Sequence, residues 1–169
     1  MRKPKKLTAL LLALTLLFVC AACASGNSTT DSGKTISGTL PEIIDRLYDT
    51  VDVDDEQRDF LKNSVGTVEI PKDQSAYYFG VENLDFEEAV ASEPFINAIA
   101  FSVCLMRVKD GTDIDELKAE IRRSANPAKW ICVDVNPNDV RVESVGDLVL
   151  LIMADDSEKY SEAFYALAE

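Results

Sequence analysis

Residues 99–125, IAFSVCLMRVKDGTDIDELKAEIRRSA, contain the reading that decides the fold. From Ile99 to Val108 the text is almost wholly apolar, and alternation puts Ile99, Phe101, Val103, Leu105 and Arg107 on one face. Ala100, Ser102, Cys104, Met106 and Val108 take the other face. Because both faces are largely apolar, the spacing predicts a central strand rather than an edge. Lys109-Asp110-Gly111 then reverses the chain, and Asp113 followed three residues later by Glu116 is a helix-start signal. Ile114, Leu117, Ile121 and Ala125 line one side of that helix, with Asp115, Lys118, Glu120, Arg122 and Arg123 opposite, facing water. Asn126-Pro127 ends it. Strand, tight turn and helix need a sheet beside them and a helical layer above, but they specify no chemistry.

Downstream, Trp130–Val135 reads as a second strand and Asn136-Pro-Asn-Asp139 as a turn. Val140–Ser144 alternates cleanly, Val145-Gly-Asp147 reverses it, and Leu148–Met153 is a continuous apolar run, so these two pair as a hairpin. Asp155 and Glu158 form a capping-box pattern before a last helix striped by Tyr160, Ala163, Phe164 and Leu167. Upstream, Thr39 and Glu42 form another capping box with Pro41 in the first turn, and Leu40, Ile43, Ile44, Leu47 and Val51 recur at helical spacing. A short helical stretch comes next through Arg58, Phe60 and Leu61, then a brief strand at Thr67–Ile70. Asp85-Phe-Glu-Glu-Ala-Val-Ala91 reads as a weak helix that stops near Glu93-Pro94.

The expected architecture is α+β: a two-layer sandwich of a mainly antiparallel sheet with helices on one face. Its topology is expected to be ferredoxin-like or related. Residues 39–169 form a single domain, with 40–92 wrapped on the core as an N-terminal extension.

The first residues are of another kind. Arg2, Lys3, Lys5 and Lys6 precede Leu7–Val19, an apolar run too short to span a hydrocarbon core, and the layout is that of a signal peptide over residues 1–22. Cys20-Ala-Ala-Cys23 followed by Ala-Ser-Gly-Asn-Ser-Thr-Thr resembles the bacterial lipobox, with Cys20 where leucine is usual. That resemblance implies Cys23 as the lipidated first residue of the mature chain, anchored by its acyl chains to the extracytoplasmic face of the cell membrane. Cleavage after Ala24, giving a secreted protein, is the alternative. Residues 23–38, rich in Ser, Thr, Gly and Asn, read as a flexible tether.

Loss of the leader removes four of 17 basic residues and none of the 30 acidic ones, leaving 13 against 30, a net charge of −17. Such a chain does not bind a phosphate backbone, and nucleic acid is excluded as a partner. Its partners are expected to be the membrane, through the anchor, and an envelope protein. Of the cysteines beyond the leader, Cys104 and Cys132 each lie in strand-like apolar text, and whether they are bridged is left open.

There is no histidine, which closes imidazole general bases, histidine-dependent triads and histidine-ligated zinc. No phosphate-binding glycine motif or paired CxxC motif occurs, and no catalytic residue or cofactor is assigned. Asp52, Asp54, Asp55 and Glu56 could bind a hard cation but lack the EF-hand register, and read better as a solvated link with a helix cap. Asp134-x-Asn136-x-Asn138-Asp139 spaces oxygens as a calcium loop does, but Val145 stands where the final glutamate belongs, so it reads as a turn. Tyr77, Tyr78, Phe79 and Trp130 are a candidate aromatic interaction surface, with burial in the core as the competing role.

Four segments carry a family resemblance: the lipobox at Cys23; Tyr77-Tyr78-Phe79-Gly80 with Glu87-Glu88-Ala-Val-Ala-Ser-Glu-Pro94; Val103-x-Leu-x-Arg-Val-Lys-Asp-Gly111; and Trp130-Ile-Cys-Val-x-Val135 leading to Ser144-Val-Gly-Asp-Leu-Val149. In these the mature chain resembles an uncharacterised family of small surface lipoproteins of clostridia and related Gram-positive bacteria. The resemblance implies an envelope binding or interaction module without enzymatic activity, and it transfers no catalytic residue. The function classes kept beside it are a carboxylate- or cation-dependent enzyme and an accessory subunit of an envelope complex.

Overall fold

A computed structural model describes residues 33–169. The expected signal peptide over residues 1–22 and the expected lipidation site Cys23 lie outside the described residues. Within them the chain is α+β, with a five-stranded, wholly antiparallel sheet. The strands are β1 (Val65–Glu69), β2 (Phe86–Pro94), β3 (Ser102–Val108), β4 (Val140–Val145) and β5 (Leu148–Met153), in spatial order β1-β2-β3-β5-β4. The helices are α1 (Leu40–Thr50), α2 (Asp55–Asn63), α3 (Ser75–Phe79), α4 (Ile114–Ser124) and α5 (Ser157–Ala166). None is long and apolar enough to cross a membrane.

The unit over 99–125 forms as the pattern requires. β3 is the central strand, paired with β2 on one side and β5 on the other. Gly111 turns the chain at φ +83°, and the Asp113 side chain accepts from Glu116 N to cap α4. The strand begins later than the apolar text does, because Phe95–Phe101 is a connection and not ladder.

The expectation of helices on one face is corrected. Val103, Leu105, Leu148, Leu150 and Ile152 pack with α1, α2 and α5 in one core. Their alternates Cys104, Met106, Val149, Leu151 and Met153 pack against Phe79 of α3 and Ile121 of α4 in a second core. Strands that are apolar on both faces require cover on both, so the arrangement has three layers. The strand order is likewise not that of a two-layer ferredoxin-like sandwich.

Two further expectations change. Residues 86–91 are strand, not helix: β2 lies between β1 and β3, and ladder pairing overrides the helix preference of Glu and Ala. A register shift between Phe86 and Glu88 breaks the alternation, leaving Phe86, Ala89 and Val90 buried at a spacing that imitates a helix. Trp130–Val135 is not a strand. Trp130 and Val135 point into the second core, residues 131–134 are exposed, and Cys132 takes a left-handed φ of 60°.

The end of the segment read as tether is attached. Ile36 is buried in the first core, Thr35 and Glu169 exchange backbone hydrogen bonds, and the Arg46 guanidinium donates to Ser37 O. Arg107 donates to Gly38 O at 3.1 Å while pairing with Glu88 and Asp147. The chain therefore reaches the domain at the β4–β5 turn, where Lys34 O lies beside Gly146. Cys104 and Cys132 are both free, the first buried and the second exposed.

Candidate interaction surface

The end of the sheet opposite the β4–β5 turn is built differently. Val65 faces Pro94 and Ser102 faces Met153, so the start of β1, the end of β2, the start of β3 and the end of β5 meet there. Across this end runs the β2–β3 connection. Phe95 is 74% exposed and Ile96 64%, whereas Phe101 at the end of the connection is buried in the first core. Phe95 N donates to Ser64 O at 3.1 Å, and its ring lies over Gly66, where an added Cβ would sit 2.6 Å from Cε1. Ile131, 63% exposed, donates its amide to Asn97 O at 3.0 Å, joining the 129–133 loop to the same surface. Three large apolar side chains thus stand in solvent on two loops that hold each other.

At the same end of the sheet lies a buried charge. Lys129 Nζ pairs with Glu93 Oε1 at 2.5 Å and bonds Ser102 Oγ at 3.2 Å, and Ser102 in turn donates to Glu93 at 2.7 Å. The rings of Tyr77, Tyr78 and Trp130 surround the ammonium at 4.9, 5.3 and 5.4 Å. This cage accounts for three of the four aromatic candidates. Tyr77 is open, Tyr78 is half-buried, and Phe79 and Trp130 belong to the second core, so those two are withdrawn from the predicted surface. A serine beside a lysine has the composition of an activated nucleophile. Here Ser102 is wholly buried, its proton is committed to Glu93, and the arrangement clamps the 129–133 loop onto the ends of β2 and β3.

On the first-core side the apolar edge continues through Ile99 into a hollow of about 310 Å³ between α2, the β2–β3 connection and the β5–α5 turn. Its floor is aromatic: the rings of Phe60 and Tyr160 stand edge-on to Phe101, 5.4 and 5.9 Å between centroids. Tyr160 accepts a hydrogen bond from Gln57 Nε2 at 3.0 Å, and burial raises its pKa. The rim carries Asp54, Asp155 and Asp156, with Lys159 bonded to Asp156 at 3.0 Å. Asp156 precedes α5 at φ 54° and makes no capping bond, so the expected Asp155–Glu158 capping box is absent.

Two members of the cation-site candidates have structural roles. Asp54 caps α2 by accepting from Gln57 N at 2.8 Å, and Asn136 accepts from Asn138 N at 2.9 Å in a single turn over Pro137–Asp139. Among the described residues no group of three or more acidic or cysteine side chains could hold a metal ion. Phe95, Ile96 and Ile131 were hidden in the sequence because each sits in apolar text that reads as strand. The one signal was Pro94, which cannot extend a ladder freely and so separates β2 from the connection after it. No family model, curated protein or solved structure matches the chain.

Proposed function

We propose that this chain is a non-enzymatic, lipid-anchored binding module of the cell envelope, one of the small Gram-positive surface lipoproteins it resembles. Phe95, Ile96 and Ile131, held in solvent at the end of the sheet farthest from where the chain arrives, carry the reading. Exposed apolar clusters of this kind mark protein contact sites. β3 alone spans about 20 Å at strand rise, so the cluster is set off from residue 33 by the length of the sheet. Attachment through Cys23 leaves that end available to another envelope protein. The net charge of −17 supports the same arrangement, since it is repelled by an anionic bilayer.

A photo-crosslinking side chain at Ile96 or Ile131, in cells, is expected to give a discrete adduct in the membrane fraction, while the same group at Asp115 on α4 gives none. Indistinguishable patterns from all three positions would overturn the binding surface. The anchor is tested separately: Cys23→Ser should release the protein, and an unmodified Cys23 in the wild-type membrane fraction would exclude lipidation.

A further inference from the structure

We infer that the partner inserts a lysine or arginine side chain, flanked by apolar residues, into the hollow beside the Phe95–Ile131 surface. The inference rests on reading that end of the sheet as a binding surface, and it names the chemistry of what binds. At about 310 Å³ the hollow is at the small end of ligand sites and has room for one long side chain. Its walls suit such a chain along its length. Ile99 and Phe60 offer apolar contact to a methylene stem, and the Phe101 and Tyr160 rings offer faces and edges deeper in. Asp54, Asp155 and Asp156 line the same hollow, and their exposed carboxylates can pair with the charged head of a side chain that enters past Ile99. Among the lining residues the sole cation is Lys159, and Asp156 already engages it. The groove next to it, lined by Asp139, Glu158 and Glu162 as well as Arg141, extends the acidic field.

The same features argue against other occupants. A second copy would bring the same carboxylates against these, with −17 on each chain. An anionic lipid surface meets the same repulsion.

The test uses the full-length chain in neutral phosphatidylcholine vesicles and three labelled, capped peptides. One alternates lysine with leucine; in the second serine replaces leucine; in the third glutamate replaces lysine. The first should bind at least tenfold more tightly than either other. Asp54→Asn with Asp155→Asn should weaken it at least tenfold, and asparagine at 54 retains the helix cap. Asp115→Asn with Glu116→Gln, which removes equal charge from exposed positions on α4, should change it less than twofold. Equal loss in the two double variants, or equal binding of the serine peptide, would reduce the effect to bulk charge and overturn the inference. If Phe95→Ser with Ile131→Ser weakens binding but Asp54→Asn with Asp155→Asn does not, the surface stands and the basic side chain is wrong. If neither pair matters, both readings fall. Binding of the Cys23→Ser chain to phosphatidylglycerol vesicles through Phe95 and Ile131 would also overturn it, in favour of lipid.

Discussion

Lys129 shows how one residue can support a surface without belonging to it. Its side chain is 3% exposed and that of Glu93 20%, so little water reaches the ammonium and the carboxylate is its compensating partner. Lys129→Met leaves the carboxylate without its cation and is expected to cost about 3 kcal/mol, the low end for breaking a buried pair. Glu93→Gln with Lys129→Met should recover part of that loss, read by denaturant midpoints. If the double variant is no more stable than Lys129→Met alone, the pair is not the source of the cost. The two domain cysteines give a second contrast at this scale. Burial pushes the Cys104 thiol up to about 11, whereas Cys132 is exposed. Iodoacetamide with peptide mapping at pH 8 should therefore label Cys132 within minutes and Cys104 only after unfolding. Rapid labelling of Cys104 would mean that the second core opens in the native state.

Among the elements, α3 packs closely against the end of α4. Gly80 ends α3 at φ +76°, and a Cβ there would lie 2.0 Å from the carbonyl oxygen of Ser124. The obstacle is backbone, so Gly80→Ala combines a disfavoured conformation with a displaced helix and should cost about 3 kcal/mol or more. Gly111→Ala is the control: it has positive φ but nothing within 4 Å, and about 1 kcal/mol is expected. Equal losses in thermal melts would remove the steric part of the argument. The same elements show what the sequence could disclose. α1, α4 and the β4–β5 hairpin were legible because their apolar spacing keeps one period from end to end. β2 was not, because its bulge changes the period partway and its Glu and Ala residues favour the wrong element. Helices on both faces were implied by the two apolar faces of β3, but which helix covers which face depends on chain path and not on local pattern. The surface was least legible. A phenylalanine or isoleucine that leaves the core looks the same in the sequence as one that enters it, and only the meeting of Asn97 with Ile131 shows that these leave.

Charge and proton binding act on the whole molecule. The capping box places the Glu42 carboxylate against the backbone and hydroxyl of Thr39, which lowers its pKa from 4.5. Hydrogen bonds from Lys109 and then Lys72 lower that of Asp85 from 3.8. A depressed carboxylate contributes stability that is present above its unfolded pKa and is lost as pH falls through the folded one. The acid limb should therefore fall below about pH 4, and Asp85→Asn should flatten part of it. At the other end the Cys104 thiol, ordinarily at 9.0, is raised by burial to about 11, and Tyr165, ordinarily at 10.0, by burial and its bond to Glu143 to about 12. A raised pKa contributes stability that is complete below the unfolded value and is lost as pH rises through the folded one. Between pH 9 and 11 the thiol alone should cost on the order of 2 kcal/mol, and Cys104→Ala should flatten that limb while lowering the plateau through the cavity it leaves. Between the limbs the net negative charge, −13 over the full sequence, acts against the fold through self-repulsion, which salt screens. Raising sodium chloride from 10 to 150 mM at pH 7 should therefore raise the melting temperature by a few degrees. A fall would mean that the ion pairs of Arg107, Lys109 and Lys129 outweigh the repulsion among the remaining acids.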